Sequence, residues 1–457
     1  MPLRVKPVMT ADRADKQCSY ISDHPFYLAC QWLGWGLFVF LMTTLVSLKS
    51  LASETEPTAS AFNFSLSGFG TLGVVHNSSD ELYFHRDFTM PADGSDFSFK
   101  TDSLLGLQLN AELASHLDGV AQVVIKDRVS SDAIDSVELF FLRYRPHRDW
   151  ALRAGRTSVD FYLLSEYRNV SYAYLWSRPI PEFYALTSSI ARIDGVDAAY
   201  TFSLGQGYLE SKLAYGQAQS VLDGGGYRFG IDLEELLVFT NTFTQDPWLV
   251  KLAISTSKIS ALDFITNELV TALDEIPETI WPDATRLANA TEGVGQRVSY
   301  YTLGTQYDHN QWILQSELGY TDSEWGLLQS FYNGYVSVGY RIDEVTLFGV
   351  VAHIENNEDP KTGKLPQLHS QLPPEIGLYI QGLHHLTLEA LNSTRVKQTT
   401  YSIGARWDLY PNTAIKLQWD HSQVDQRGAG LWTKPEVIEQ DQSVNLFSLN
   451  FSFVFSL

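Results

Sequence analysis

The last twelve residues constrain the fold more than any other stretch of this chain. Phe447, Leu449, Phe451, Phe453, Phe455 and Leu457 take alternate positions, with Leu446, Ser448, Asn450, Ser452, Val454 and Ser456 between them. A helix would scatter these rings around its axis. A strand gathers them on one face, because successive side chains point to opposite sides of a sheet. The same two-residue period recurs along the chain. Phe62, Phe64, Leu66, Gly68, Gly70 and Leu72 alternate with Asn63, Ser65, Ser67, Phe69 and Thr71. Leu105, Leu107 and Leu109 oppose Gln108, Asn110 and Glu112, and Ala121, Val123 and Ile125 oppose Gln122, Lys126 and Arg128. Tyr401, Ile403, Ala405, Trp407 and Leu409 oppose Ser402, Arg406 and Asp408.

A soluble β-sandwich also alternates, but these segments run to about ten residues or more, the length a tilted strand needs to cross a bilayer. Aromatic residues gather where strands end at short turns: Trp150, Trp248, Trp312, Tyr340, Trp407 and Tyr410. That is where a membrane barrel carries its interfacial girdle. Loop lengths add a separate signal. Seven short turns, at 115–119, 146–149, 204–207, 244–247, 308–311, 341–344 and 411–413, alternate with eight longer connections near 77–100, 129–135, 160–194, 217–231, 260–295, 322–330, 355–395 and 423–443. Fifteen such links join sixteen strands. An open sheet edge is too costly in hydrocarbon, where no water can pair a free N–H or C=O, so the strands must close. Sixteen strands enclose a lumen wide enough for water, lined by the polar face. The expected fold is therefore all-β, a transmembrane antiparallel up-and-down barrel of about sixteen strands.

Composition removes the competing classes. The aromatic content of 13% is too high for a disordered chain. A net charge of −21 repels nucleic acid. One long apolar run, residues 28–48, excludes a bundle of membrane helices. That run follows Arg4, Lys6, Arg13 and Lys16 and precedes the small-x-small exit Ser50-Leu51-Ala52, so residues 1–52 read as a signal peptide, with an uncleaved anchor as the alternative. The segment carries five basic and three acidic residues, which leaves −23 on the remainder, and both cysteines, Cys18 and Cys30. No disulfide framework or thiolate metal site is then expected beyond it.

The chain resembles the Gram-negative outer-membrane porin superfamily over residues 58–457. The resemblance rests on Phe69-Gly-Thr-Leu-Gly73 in the first strand, on Leu152-Arg-Ala-Gly-Arg156 before the third long connection, and on the final strand of alternating phenylalanines. It implies a passive diffusion channel for small hydrophilic solutes and ions, exported to the cell outer membrane. It also implies a homotrimer, contact with outer-membrane lipid and lipopolysaccharide, and delivery by the barrel-assembly machinery, which reads a terminal strand like this one. The final strand departs from the family by ending Phe455-Ser-Leu457 rather than on an aromatic.

In that family the third long loop folds into the lumen and narrows it. Here residues 160–194 are too aromatic for a solvated loop and carry Glu166, Arg168, Arg178, Glu182 and Arg192. By analogy these face the wall charges Lys126, Arg128, Arg143 and Arg153 in a constriction that filters solutes by sign. Arg143 shares its parity with Leu139 and Phe141, which argues against a lumenal position. Pinning of the loop by salt bridges is the competing role for all these charges. Acid in the outer loops, such as Glu268, Asp274, Glu275 and Glu278, favours cations, while the basic wall favours anions.

No catalytic set emerges. His384-His385 falls in a long connection without metal spacing, Asp308-His309 reads as a polar turn, and Gly224-Gly225-Gly226 reads as a flexible loop rather than a phosphate cradle. No cofactor or metal and no enzyme activity is expected. The alternatives to a general channel are a substrate-selective porin, a barrel-anchored surface receptor or adhesin and, less favoured, an outer-membrane hydrolase.

Overall fold

The computed structural model describes residues 63–457, except 264–265, 367–372 and 437 and the side chains of 188–189. The expected signal segment, 1–52, lies outside the described residues. Among those described, sixteen long strands run in sequence order: β1 (Asn63–Asn77), β2 (Leu104–Ala114), β3 (Leu117–Lys126), β4 (Val137–Tyr144), β5 (Trp150–Ser158), β6 (Arg192–Leu204), β7 (Gly207–Asp223) and β8 (Arg228–Gln245), then β9 (Trp248–Asp263), β10 (Arg297–His309), β11 (Trp312–Ser323), β12 (Phe331–Ile342), β13 (Val345–Asn356), β14 (Val396–Tyr410), β15 (Thr413–Ala429) and β16 (Gln442–Ser456). Each pairs antiparallel with its neighbours in the chain, and β1 pairs with both β2 and β16, so the sheet closes on itself. This is the closed sixteen-strand barrel that the alternation and the loop lengths imply. No helix among the described residues is long and apolar enough to cross a membrane.

The outer face is apolar as expected. Phe447, Leu449 and Phe451 are exposed, while Leu446, Ser448, Asn450 and Ser452 between them are buried inside. At the short-turn end, aromatic side chains pair across neighbouring strands, with ring centroids 4.7 Å apart for Trp150–Tyr200, 4.8 Å for Trp248–Tyr307 and 4.8 Å for Trp312–Tyr340. The pairs arise because each partner lies directly opposite in the ladder. Their amphipathic rings suit the boundary between hydrocarbon and headgroups.

Three expectations change. The connection expected at 217–231 is four residues, because β7 and β8 continue almost to each other. Gly225 (φ 80°) and Gly226 (φ 93°) adopt left-handed backbone that lets the chain reverse there, so the glycine run is a tight turn. The connections at 260–295 and 355–395 contain helices: α2 (Thr266–Asp274) and α3 (Ala284–Thr291) in the first, α4 (Pro374–Ser393) in the second, after the single turn α1 (Pro181–Tyr184). His384 and His385 therefore lie on a helix. Finally, the lumenal wall is not uniformly polar. Val238, Phe348, Val350 and Ala352 point inward, in one apolar cluster with Phe161, Trp176, Phe183 and Tyr184 of the connection between β5 and β6. Where protein rather than water fills the lumen, apolar packing is the stable solution.

Candidate functional site

The connection from β5 to β6, residues 159–191, crosses the lumen from its origin to the opposite wall. Its apolar residues supply the packing: Trp176, Tyr162, Tyr184 and Phe183 are among the largest fully buried side chains. Its polar backbone must then find partners on the wall, because buried amides and carbonyls without them are costly. The wall provides them strand by strand. Lys251 (β9) donates to the Tyr162 carbonyl at 3.1 Å, and Thr302 (β10) to that of Phe161 at 2.6 Å. Glu317 (β11) accepts from the Leu163 amide at 2.7 Å and from the hydroxyls of Tyr184 and, at 2.7 Å, Tyr335. Gln418 (β15) accepts from the Ser177 amide at 2.7 Å. Lys416 is fully buried with its ammonium inside a cage of three carbonyls, 2.5 Å from Ser171, 2.7 Å from Tyr174 and 2.6 Å from Trp176.

The nine charges singled out in the sequence fall into four places. At the far wall, Arg178 is 1% exposed and forks onto Asp102 at 2.9 and 2.8 Å while reaching Asp420 at 3.1 Å. Burial alone would lower the Arg178 guanidinium and raise the Asp102 carboxyl. Their pairing outweighs both effects, so Arg178 titrates above and Asp102 below the ordinary value. Glu182, also near that wall, accepts from Gln398 at 2.5 Å and from the Thr400 hydroxyl. Among the described residues no cation pairs with it, and burial pushes its carboxyl up. Neither Arg178 nor Glu182 meets Lys126, Arg128, Arg143 or Arg153.

On the near side, Arg128 and Arg168 share Glu138, at 2.6 Å and 2.8 Å. Lys126 turns to Asp87 of the first long connection at 3.0 Å, and Arg192 to Asp135 at 3.0 Å. These four cations, with Gln219 and Ser220, line one small recess. Closer to the short turns, Glu166 meets Arg153 at 3.2 Å and Lys212 at 3.8 Å. Arg153 also forks onto Asp197 at 3.0 and 2.9 Å and lies 5.2 Å over the Phe141 ring. Lowest on the wall, Arg143 binds Asp118 at 2.8 Å. Its parity with Phe141 proves no obstacle, because Phe141 itself points inward beneath Arg153.

Asp118, Arg143, Arg153 and Asp197 lie in register across β3, β4, β5 and β6, forming one charged row on the inner wall. The sequence reading missed both acids of that row, because a carboxylate on a strand reveals its partner only through register. It also missed Asp160, which sits at the root of the crossing connection between Lys212 at 3.3 Å and Lys251. Burial would raise its carboxyl, but the two ammonium groups outweigh burial and hold it below the usual range. No group of three or more metal-ligating side chains exists among the described residues.

No protein-family profile matches the chain, and no curated protein does. Solved structures do resemble it. DcaP, an outer-membrane channel of Acinetobacter baumannii, is 12% identical, with a TM-score of 0.47 over 88% of this chain and 99% of that one. An anion-selective porin from Comamonas acidovorans is 12% identical, with a TM-score of 0.48 over 86% and 100%. OmpT, an outer-membrane protein of Vibrio cholerae, is 9% identical, with a TM-score of 0.45 over 88% and 100%. At these values the likeness says nothing about solute or mechanism.

Proposed function

We propose that this chain is an outer-membrane channel through which small hydrophilic solutes and ions diffuse passively. The observation that carries this reading is Glu166. It belongs to a connection enclosed by the barrel and is tied to the wall through Arg153 and Lys212, yet its side chain is 57% exposed. Arg143, on the same wall, is 33% exposed. Solvent at these positions fits a wet passage between the crossing connection and strands β3 to β7.

On this reading Glu166, Arg143 and Arg153 border the passage. Lys126, Arg128, Arg168 and Arg192 form a basic band around Glu138 at its narrow part, and Arg178 and Glu182 anchor the connection to the far wall. Each of these seven cations already holds a carboxylate within 3.3 Å. Such balance supports weak selectivity between small ions rather than a dedicated substrate site. Residues 1–52 then serve as the export signal, the apolar face meets outer-membrane lipid with lipopolysaccharide on the long-loop side, and the chain assembles as a homotrimer after delivery by the barrel-assembly machinery.

The test is conductance. Purified protein added to a planar bilayer is expected to give discrete current steps, with a reversal potential in a tenfold salt gradient well short of ideal selectivity. A folded, inserted protein that passes no current would overturn the reading.

A further inference from the structure

We propose that the long-loop end of the barrel holds a binding site for a flat, uncharged aromatic solute. A cavity of about 560 Å³ lies there, above the crossing connection. That volume falls in the range of small-molecule sites, roughly 300–1,000 Å³. Its surface is unlike that of the charged wall below. Phe161 and Tyr300 contribute from the lumen, Trp325 from the segment between β11 and β12, Phe331 from the start of β12, Trp432 from the loop before β16, and Tyr227 from the glycine turn. All but Tyr227 are less than 8% exposed, so the rings are set by packing before any solute arrives. Aromatic walls favour a ring that can stack or meet them edge-on.

The charges argue against an ionic ligand. Lys434 is the one permanent cation lining the space among the described residues, and its ammonium donates to the Ser393 carbonyl at 3.2 Å. Asp223 accepts from the amides of Ala92 at 3.0 Å and Gly226 at 2.7 Å. Glu389 pairs with His385 at 3.7 Å on α4, and the His85 ring binds the Thr433 hydroxyl at 2.7 Å. The one cation that a carboxylate among the rings could approach is Lys434, whose ammonium is already engaged by the Ser393 carbonyl, so most of the cost of burying the carboxylate would remain. A neutral ring with one hydroxyl meets no such cost.

Equilibrium dialysis tests this with the intact protein in detergent micelles, set against empty micelles, at pH 7. The probes are 2-naphthol, 2-naphthoate and glucose. Saturable uptake of one 2-naphthol per chain is expected, with 2-naphthoate at least tenfold weaker and glucose absent. Leu328→Trp and Ile190→Trp, which fill the cavity from two sides, are each expected to weaken 2-naphthol binding at least fivefold. Leu252→Trp on the lipid-facing surface leaves binding unchanged. Retention of β-sheet circular dichroism identifies the variants that fold, and either filling variant suffices. Equal affinity for naphthoate, or uptake that does not saturate and ignores the filling variants, overturns the proposal. Dialysis reads binding without ion flow. A protein that conducts but does not bind 2-naphthol therefore refutes only this site, and one that binds but does not conduct refutes only the channel.

Discussion

Gly70 lies directly beneath the ring of Phe453, its partner across the seam where the last strand meets the first. A Cβ on Gly70 would stand 2.5 Å from Cζ of that ring. Gly68 and Phe455 repeat the arrangement two residues along. The glycines remove side chains where the terminal rings must lie flat, so the alternation of the last strand and the glycines of the first form one device for closing the barrel.

Gly70→Val is therefore expected to weaken closure. Overpacking a fitted contact costs about 1–3 kcal/mol. The variant should lose the compact, fast-migrating form in unheated detergent gels at a lower temperature than the wild type. The double variant Gly70→Val/Phe453→Ala should recover part of the loss, because the clash is gone. Equal losses in the single and double variants would count against the ring-over-glycine contact.

Arg178 balances Asp102 and Asp420 at the far wall. Arg178→Met leaves buried Asp420 without its cation and Asp102 with only Arg86, 3.8 Å away, and a broken buried pair costs about 3–5 kcal/mol. The crossing connection should loosen, which limited proteolysis within 159–191 would detect as faster cleavage. Arg178→Met combined with Asp102→Asn should be cleaved more slowly than Arg178→Met alone.

Acid should release the same connection from its root. Asp160 titrates below its ordinary range, so its stabilisation is full above the unfolded carboxylate value near pH 4 and fades as pH falls through the depressed folded value. Glu182 has the opposite sign. Its raised carboxyl contributes below about pH 4 and loses that contribution as pH rises through the folded value. Proteolysis with an acid-active protease between pH 5 and pH 2 should show faster cleavage on acidification in the wild type and a flatter profile in Asp160→Asn. As pH rises above about 4, Glu182→Gln should flatten the loss of protection seen in the wild type.

Neutralising exposed charges of the wet wall should move selectivity and leave the fold alone. Arg143→Gln, which leaves Asp118 paired with Arg145 at 2.7 Å, is expected to shift the reversal potential toward cations and Glu166→Gln toward anions. A solvated charge pair contributes less than about 1 kcal/mol, so each change in permeability ratio should be at most roughly fivefold. Shifts of the same sign in both variants would contradict their opposite roles.

Strand count, closure and the lipid-facing side were legible in the sequence, because these follow from a two-residue period and from loop lengths, both local properties of the chain. From its aromatic content the sequence argues for an enclosed connection at 160–194, although Arg192, Ile193 and Asp194 already belong to β6. It did not reveal that the connection of β7 to β8 is a tight turn, because Gly224-Gly225-Gly226 suits a turn and a flexible loop equally well. Nor did it reveal helices in the caps, where a helical period competes with the surrounding strand signal. What each charge meets was settled by the folded barrel. Arg168 found Glu138 thirty residues earlier, Arg178 found Asp420 from the far side of the barrel, and Lys416 found three carbonyls. Such pairings depend on the register of sixteen strands and on the path of one connection through the space they enclose. No window of the sequence contains both partners, so their chemistry became legible only once the barrel had closed.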